Sequence, residues 1–88
     1  MQIYFLASET DRPDLGVAIA VKFGERNCRT VAPGQWLVAA DVTPKELSDR
    51  LNASDGNFGK LIILLVTSYF GWHDKDMWDW LSLKKSET

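Results

Sequence analysis

The most hydrophobic stretch of the chain is Leu61–Val66, six consecutive aliphatic residues with no polar position among them. Turn residues precede it at Asp55-Gly56 and Gly59, and Gly71 follows it. A short run without a polar face predicts a strand that is buried on both faces. The run is far too short to cross a membrane, which takes about 20 apolar residues.

The N-terminal part predicts a strand and then a helix. Gln2–Ala7 is a short apolar and aromatic run that ends in polar residues, which is typical of a strand. Asp11 is the expected cap of the next helix, and Pro13 and Asp14 suit its first turn. For Leu15–Gly24 a helix is favoured, because its apolar residues share one helical face and a glycine ends it. Alternating β-branched residues keep a strand as the alternative.

The middle of the chain predicts two strands and a second helix. Asn27–Val31 leads through a Pro-Gly turn into Gln35–Ala40, and both runs have strand character. Thr43 is the expected N-cap of a helix that begins at Pro44, with Glu46 completing a capping box. This is the clearest local signal in the sequence.

A short terminal helix is predicted after Asp74, its expected cap. Acidic residues lie near its start, and Lys84 and Lys85 lie at its end, which matches the helix dipole. Residues 1–83 are therefore expected to form a single domain. The polar residues 84–88 are expected to form a fraying tail.

The order of these elements predicts an α+β fold, the ferredoxin-like βαββαβ sandwich. It has a four-stranded antiparallel sheet with two helices on one face, followed here by a short C-terminal helix. In that topology the Leu61–Val66 strand lies at an edge beside the first strand, where an aliphatic strand needs a cover. The second face of the sheet also needs one, from the terminal helix, a second copy of the chain, or both.

Composition narrows the classes of function. A net charge of −2 gives no broad basic field, so nucleic acid is not an expected partner. Cys28 is the only cysteine, which excludes an internal disulfide and a zinc site built on paired cysteines. The N-terminal sequence lacks the basic start of a signal peptide, so a cytoplasmic protein without a membrane partner is expected. No phosphate-binding glycine loop is present, and no cofactor is expected.

The pattern QWLVAADVTPKELSDRL, followed by KLIILLVTSYFGW, resembles small ferredoxin-like proteins of the VapD and CRISPR-adaptation dimer group. The likeness covers roughly Gln2 to Trp72 and lies mostly in features of the fold. It implies a homodimer formed through sheet faces and edge strands. Some members are metal-dependent ribonucleases in which an aspartate closes the first strand. In this chain ASETD, residues 7–11, stands there and no single residue carries that motif cleanly.

Acidic residues after the first strand suggest one chemical alternative. Glu9, Asp11 and Asp14 would hold a divalent ion there, and a metal-dependent nuclease using Glu9 and Asp11 is the alternative function. A solvated loop with a helix cap is the favoured interpretation of the same acids, because acidic residues belong at the start of a helix.

Two further polar groups have simple structural interpretations. His73 with Asp74 and Asp76 suggests a metal or acid–base cluster, but the start of a helix explains the same pattern. Cys28 is interpreted as a partly buried strand residue, because nothing nearby would lower its pKa.

The aromatic C-terminal part is the most unusual feature. Stacking platforms for single-stranded nucleic acid normally lie in a basic groove, whereas these aromatic residues are interleaved with aspartates. A core or an interface between proteins is therefore favoured. The predicted dimer and partner interface consists of Leu61, Ile63, Leu65, Tyr69, Phe70, Trp72, Trp78 and Trp80.

These patterns predict a small non-enzymatic protein-interaction module that acts as a homodimer and binds another protein. By analogy of fold and family, a defence, counter-defence or toxin–antitoxin setting is expected. A structural subunit of a larger assembly is a third hypothesis, which the sequence does not separate from the first.

Overall fold

A computed structural model describes residues 1–86, in which strands and helices form an α+β arrangement. The elements are β1 (Gln2–Ser8), α1 (Pro13–Phe23), a 3-10 turn (Glu25–Asn27), β2 (Cys28–Ala32), β3 (Gln35–Ala40), α2 (Pro44–Arg50), β4 (Leu61–Val66) and α3 (Lys75–Ser86). Helix α3 thus includes the first three residues of the expected tail. The rest of that tail, residues 87–88, lies outside the described residues.

The four strands form one antiparallel sheet in the order β2-β3-β1-β4. Strand β1 is central and pairs with β3 on one side and with β4 on the other. Strand β4 therefore lies at an edge beside the first strand, as expected from the element order. A turn at Gly34 joins β2 to β3 with a φ of +81°, which favours glycine.

The larger core lies between one face of the sheet and helices α1 and α2. Residues of even number in β1 and β3 supply the sheet side, since successive strand residues point to opposite faces. The hydroxyl of Tyr4, which is fully buried, donates to the carbonyl of Val42. The buried members of this first core are Tyr4, Leu6, Leu15, Ile19, Trp36, Val38, Ala40, Val42, Leu47 and Leu51.

The other face of the sheet is covered by α3. Ile3 and Leu37 from the sheet are buried together with Met77 and Leu81 from the helix, and these four form the second core. Phe5, Val31, Val66, Trp78 and Trp80 pack against it and stay partly exposed. The terminal helix is therefore a cover for this face, as one of the alternatives predicted, but it covers the face only in part.

The segment that begins at Leu15 is helical as far as Phe23 and Gly24 follows its end, which resolves the ambiguity in favour of a helix. The prediction that Asp11 caps this helix is wrong. Arg12 occupies the N-cap position and no side chain bonds to the free amides there. Instead the Arg12 guanidinium binds the carboxylate of Asp14, with distances of 3.1 Å from Nε and 2.8 Å from Nη2.

Strand β2 begins one residue later than predicted, because Asn27 belongs to the preceding 3-10 turn. Its side-chain Nδ2 donates to the carbonyl of Phe23 at 2.9 Å, which connects the turn to the end of α1. Helix α2 begins as predicted. The backbone amide of Glu46 donates to Oγ1 of Thr43 at 3.1 Å.

This cap gives a direct test of the fold. Thr43→Ala should lower the free energy of unfolding by about 1 kcal/mol, because an amide at the start of α2 loses its acceptor. Urea denaturation followed by circular dichroism measures the change. Thr43→Ser keeps the hydroxyl and should unfold close to the wild type. Equal destabilisation by both substitutions would contradict the role of the hydroxyl.

Candidate functional site

Strand β4 leaves much of its aliphatic surface open. Leu61 and Ile63 are partly buried against the first core, whereas the exposed fractions of Ile62 and Leu64 are 54% and 48%. Leu65 is also 44% exposed. The prediction of a strand buried on both faces is therefore wrong. The physical reason is its position at the edge of the sheet, where α3 reaches Val66 but leaves the even-numbered residues before it uncovered.

The aromatic segment, defined here as residues 67–74, connects β4 to α3 and displays two large side chains. Phe70 and Trp72 are essentially fully exposed, at 102% and 98%. Tyr69 is held differently, because its ring stacks on Trp78 with centroids 6.0 Å apart and planes inclined by 14°. The Nζ of Lys85 lies 5.5 Å from the centre of the Tyr69 ring.

A cavity of about 320 Å³ lies between α3 and the open part of the sheet. Phe5 and Val66 line it from the sheet, Trp78 lines it from the helix, and Phe70 and His73 line it from the aromatic segment. Its walls are largely hydrocarbon and aromatic. The cavity therefore connects the C-terminal end of β4, at Val66, with the aromatic segment.

The predicted interface residues divide into two groups. Leu65, Tyr69, Phe70 and Trp72 are exposed. Leu61, Ile63, Trp78 and Trp80 are partly buried against the two cores. Ile62 and Leu64, which the sequence did not single out, are more open than their neighbours in β4. Since all six positions of β4 are aliphatic, no pattern of polar residues marked which side would face outward. The pairing register with β1 decides which residues of β4 lie on each face of the sheet.

The acidic residues after β1 do not form a metal-binding set. Glu9 and Asp11 are exposed, and the carboxylate of Asp14 is bound by Arg12. In residues 1–86, no group of three or more histidine, cysteine or acidic side chains is placed to hold a metal ion. The geometry of these residues therefore gives no support to a metal-dependent nuclease site at the end of β1.

The suspected cluster around His73 is divided between two sets of contacts. The Nδ1 of His73 accepts a hydrogen bond from the backbone amide of Asp74 at 2.8 Å. The Asp76 carboxylate lies instead on Arg29 of β2, with Nη2 at 2.8 Å, and Nη1 of Arg29 donates to the Asp76 carbonyl at 3.1 Å. This hydrogen bond lowers the pKa of Asp76 below its usual range. The pair attaches the start of α3 to the sheet.

Cys28 is a partly buried strand residue, as interpreted from the sequence. Burial raises the pKa of its thiol, and the nearby Glu25 carboxylate raises it further. A thiol with a raised pKa is a poor nucleophile near neutral pH, because the reactive form is the thiolate.

Comparisons with known proteins give no family for this chain: no family model matches it, and no curated protein matches it either. No helix within residues 1–86 is long and apolar enough to cross a membrane. The candidate site therefore rests on geometry alone. It consists of the open edge of β4, the aromatic segment and the cavity between them.

The contact between Arg29 and Asp76 predicts a pH effect. Because the hydrogen bond favours the ionised carboxylate, its stabilisation is present above the pKa of the unfolded chain and is lost as the pH falls through the lower folded pKa. Arg29→Gln should therefore raise the pKa of Asp76 toward its ordinary value. An NMR titration of the Asp76 side chain measures this. Arg26→Gln is the matched control and should leave the titration unchanged.

Proposed function

We propose that this protein is a non-enzymatic protein-interaction module that acts as a homodimer, with β4 and the aromatic segment as its interface. The observation that carries the proposal is the uncovered aliphatic edge strand. Ile62 and Leu64 present about half of their surface to water on the same side of the sheet as Phe70. Removing apolar surface from water stabilises an association by roughly 25 cal/mol per Å².

The two edges of the sheet differ in a way that supports this proposal. Natural proteins protect edge strands with charges, prolines, bulges or covering elements. Strand β2 has such protection, since its register is irregular between Thr30 and Ala32 and Arg29 is bound to α3. Strand β4 has no charge, no proline and a regular register. An unprotected edge of this kind is the feature expected of a strand that pairs with another chain.

The aromatic segment enlarges the surface toward the size of a stable dimer interface. Standard interfaces bury about 800 Å² on each partner, which is more than a six-residue edge supplies. Phe70 and Trp72 would add roughly 150–250 Å² each. Phe70 and Val66 line the same cavity, so the additional surface is continuous with the strand. We place both in one interface, with the remainder of the aromatic surface left for a further protein partner.

The proposal includes the ferredoxin-like sandwich and membership of the VapD and CRISPR-adaptation dimer group. The βαββαβ order of the first six strands and helices and the central position of β1 between β3 and β4 support that fold. The homodimers implied by the resemblance pair through edge strands, which agrees with the open edge of β4. A defence, counter-defence or toxin–antitoxin setting extends the same resemblance. A cytoplasmic location is also part of the proposal, and the presence of a single cysteine supports it.

Replacing an exposed aliphatic residue of β4 by lysine tests the interface. Leu64→Lys should weaken self-association by at least about tenfold, because a dimer would bury an unpaired charge. Val21→Lys is the matched control, since Val21 is 74% exposed on α1, across the sheet from α3. Sedimentation equilibrium measures both association constants. A wild-type protein that stays monomeric at micromolar concentration would overturn the proposal.

The aromatic segment can be tested separately. Phe70→Ala combined with Trp72→Ala should reduce both dimer affinity and the capture of a protein partner, while the thermal unfolding temperature of the isolated monomer stays close to that of the wild type. The reason is that neither ring is buried in the chain itself. Affinity capture from a native lysate with mass spectrometry provides the readout. Unchanged oligomer and unchanged partners would exclude the segment from the interface.

A further inference from the structure

We infer that two copies of this chain join into one continuous eight-stranded antiparallel sheet, in which β4 pairs with β4 and a two-fold axis passes between the two Ile63 residues. The inference rests on the proposed homodimer. It adds the symmetry of the dimer, the register of the β4–β4 pair and the face of the sheet on which the exposed side chains meet.

The direction of the backbone groups in β4 follows from two hydrogen bonds at the end of β1. The Ser8 amide donates to the Gly34 carbonyl at 2.9 Å, and the Glu9 amide donates to the Lys60 carbonyl at 3.2 Å. Glu9 and Lys60 continue the register in which Ser8 faces Leu61. In an antiparallel ladder, a bond between directly opposite residues marks a hydrogen-bonded pair, and such pairs alternate with non-bonded ones.

This alternation determines whether the backbone groups of each β4 residue point toward β1 or toward the open edge of the sheet. Ile62, Leu64 and Val66 share the parity of Lys60, so their amides and carbonyls point to β1. The amides and carbonyls of the other three residues point away from β1, toward the open edge. The three outward positions are Leu61, Ile63 and Leu65.

These outward groups are symmetric about Ile63, which makes the edge complementary to itself. An antiparallel second copy with Ile63 opposite Ile63 brings Leu61 opposite Leu65 of the partner subunit. Every outward amide and carbonyl from Leu61 to Leu65 then has a partner, as burial requires. A two-fold axis at Leu64 would instead place Leu61 opposite Thr67, beyond the end of the strand. A shift by one residue would join outward groups to inward ones.

The side chains agree with the same register. A two-fold axis perpendicular to the sheet joins like faces, so Ile62 lies opposite Leu64 of the partner subunit on the side of α3. This is a non-hydrogen-bonded pair, the type in which side chains approach most closely. The two exposed residues of each copy thus cover each other. All pairs from Leu61 to Leu65 are aliphatic, and the nearest charge is Lys60 at the end of the strand.

The second copy is favoured over a foreign strand because the assembly closes. After β4 has paired with β4, the free edges of the sheet formed by residues 1–86 of both copies are the two β2 strands. Each has an irregular register and an arginine bound to α3, which oppose further pairing. An isologous contact of this kind gives a closed dimer rather than a fibre.

Cross-linking tests the register in a Cys28→Ser background, which removes the only native thiol. In the inferred dimer, residue 63 faces its own copy with Cα atoms about 5.5 Å apart, within disulfide range. The two residues at position 64 are diagonal neighbours about 7–8 Å apart, which is too far. Oxidised Ile63→Cys should therefore run at twice the chain mass of 9.9 kDa on a non-reducing gel. Leu64→Cys should stay at the single mass.

The reduced proteins are first examined by light scattering and circular dichroism. A folded monomer at micromolar concentration would overturn both the homodimer and the pairing. A dimer that cross-links at position 64, at both positions or at neither would overturn the axis at Ile63 and leave the homodimer standing. Should Ile63→Cys fail to fold, a mixture of Leu61→Cys and Leu65→Cys replaces it. The mixture should cross-link and each protein alone should not, and any other result overturns the register.

Discussion

The alternation of side chains along β1 is the constraint on which the rest of the structure depends. Tyr4 and Leu6 point into the first core with α1 and α2, while Ile3 points into the second core with α3. Because β1 pairs with both β3 and β4, its alternation determines which residues of β3 and β4 point to each face of the sheet. A slip of one residue would exchange the two faces, and both cores enforce the register against such a slip.

Helix α3 covers only part of the sheet face on which it lies. Its buried residues, Met77 and Leu81, cover the part of the sheet around Ile3 and Leu37. Its start is held near β2 by the Arg29–Asp76 pair. A helix placed there cannot also cover the far edge, so the apolar surface of β4 stays in water. The proposed interface is thus a direct consequence of where α3 is attached.

Much of the fold was predictable because its signals are local. The strand β3, the cap of α2 at Thr43 and the bounds of β4 follow from periodicity, capping residues and flanking turns. The errors are also local in origin. Asp11 does not cap α1, since Arg12 stands at the N-cap and binds Asp14. The candidate site was predicted less well, because exposure depends on contacts between distant elements.

The sequence by itself determined that β4 is an uninterrupted aliphatic strand followed by an aromatic segment. The tertiary structure decided which residues remain open. Ile62 and Leu64 lie on the same face of the sheet as α3 but beyond the part that α3 covers, while Leu61 and Ile63 pack against the first core on the other face. In a run of six aliphatic residues both faces have the same composition, so only strand pairing and the position of α3 distinguish them.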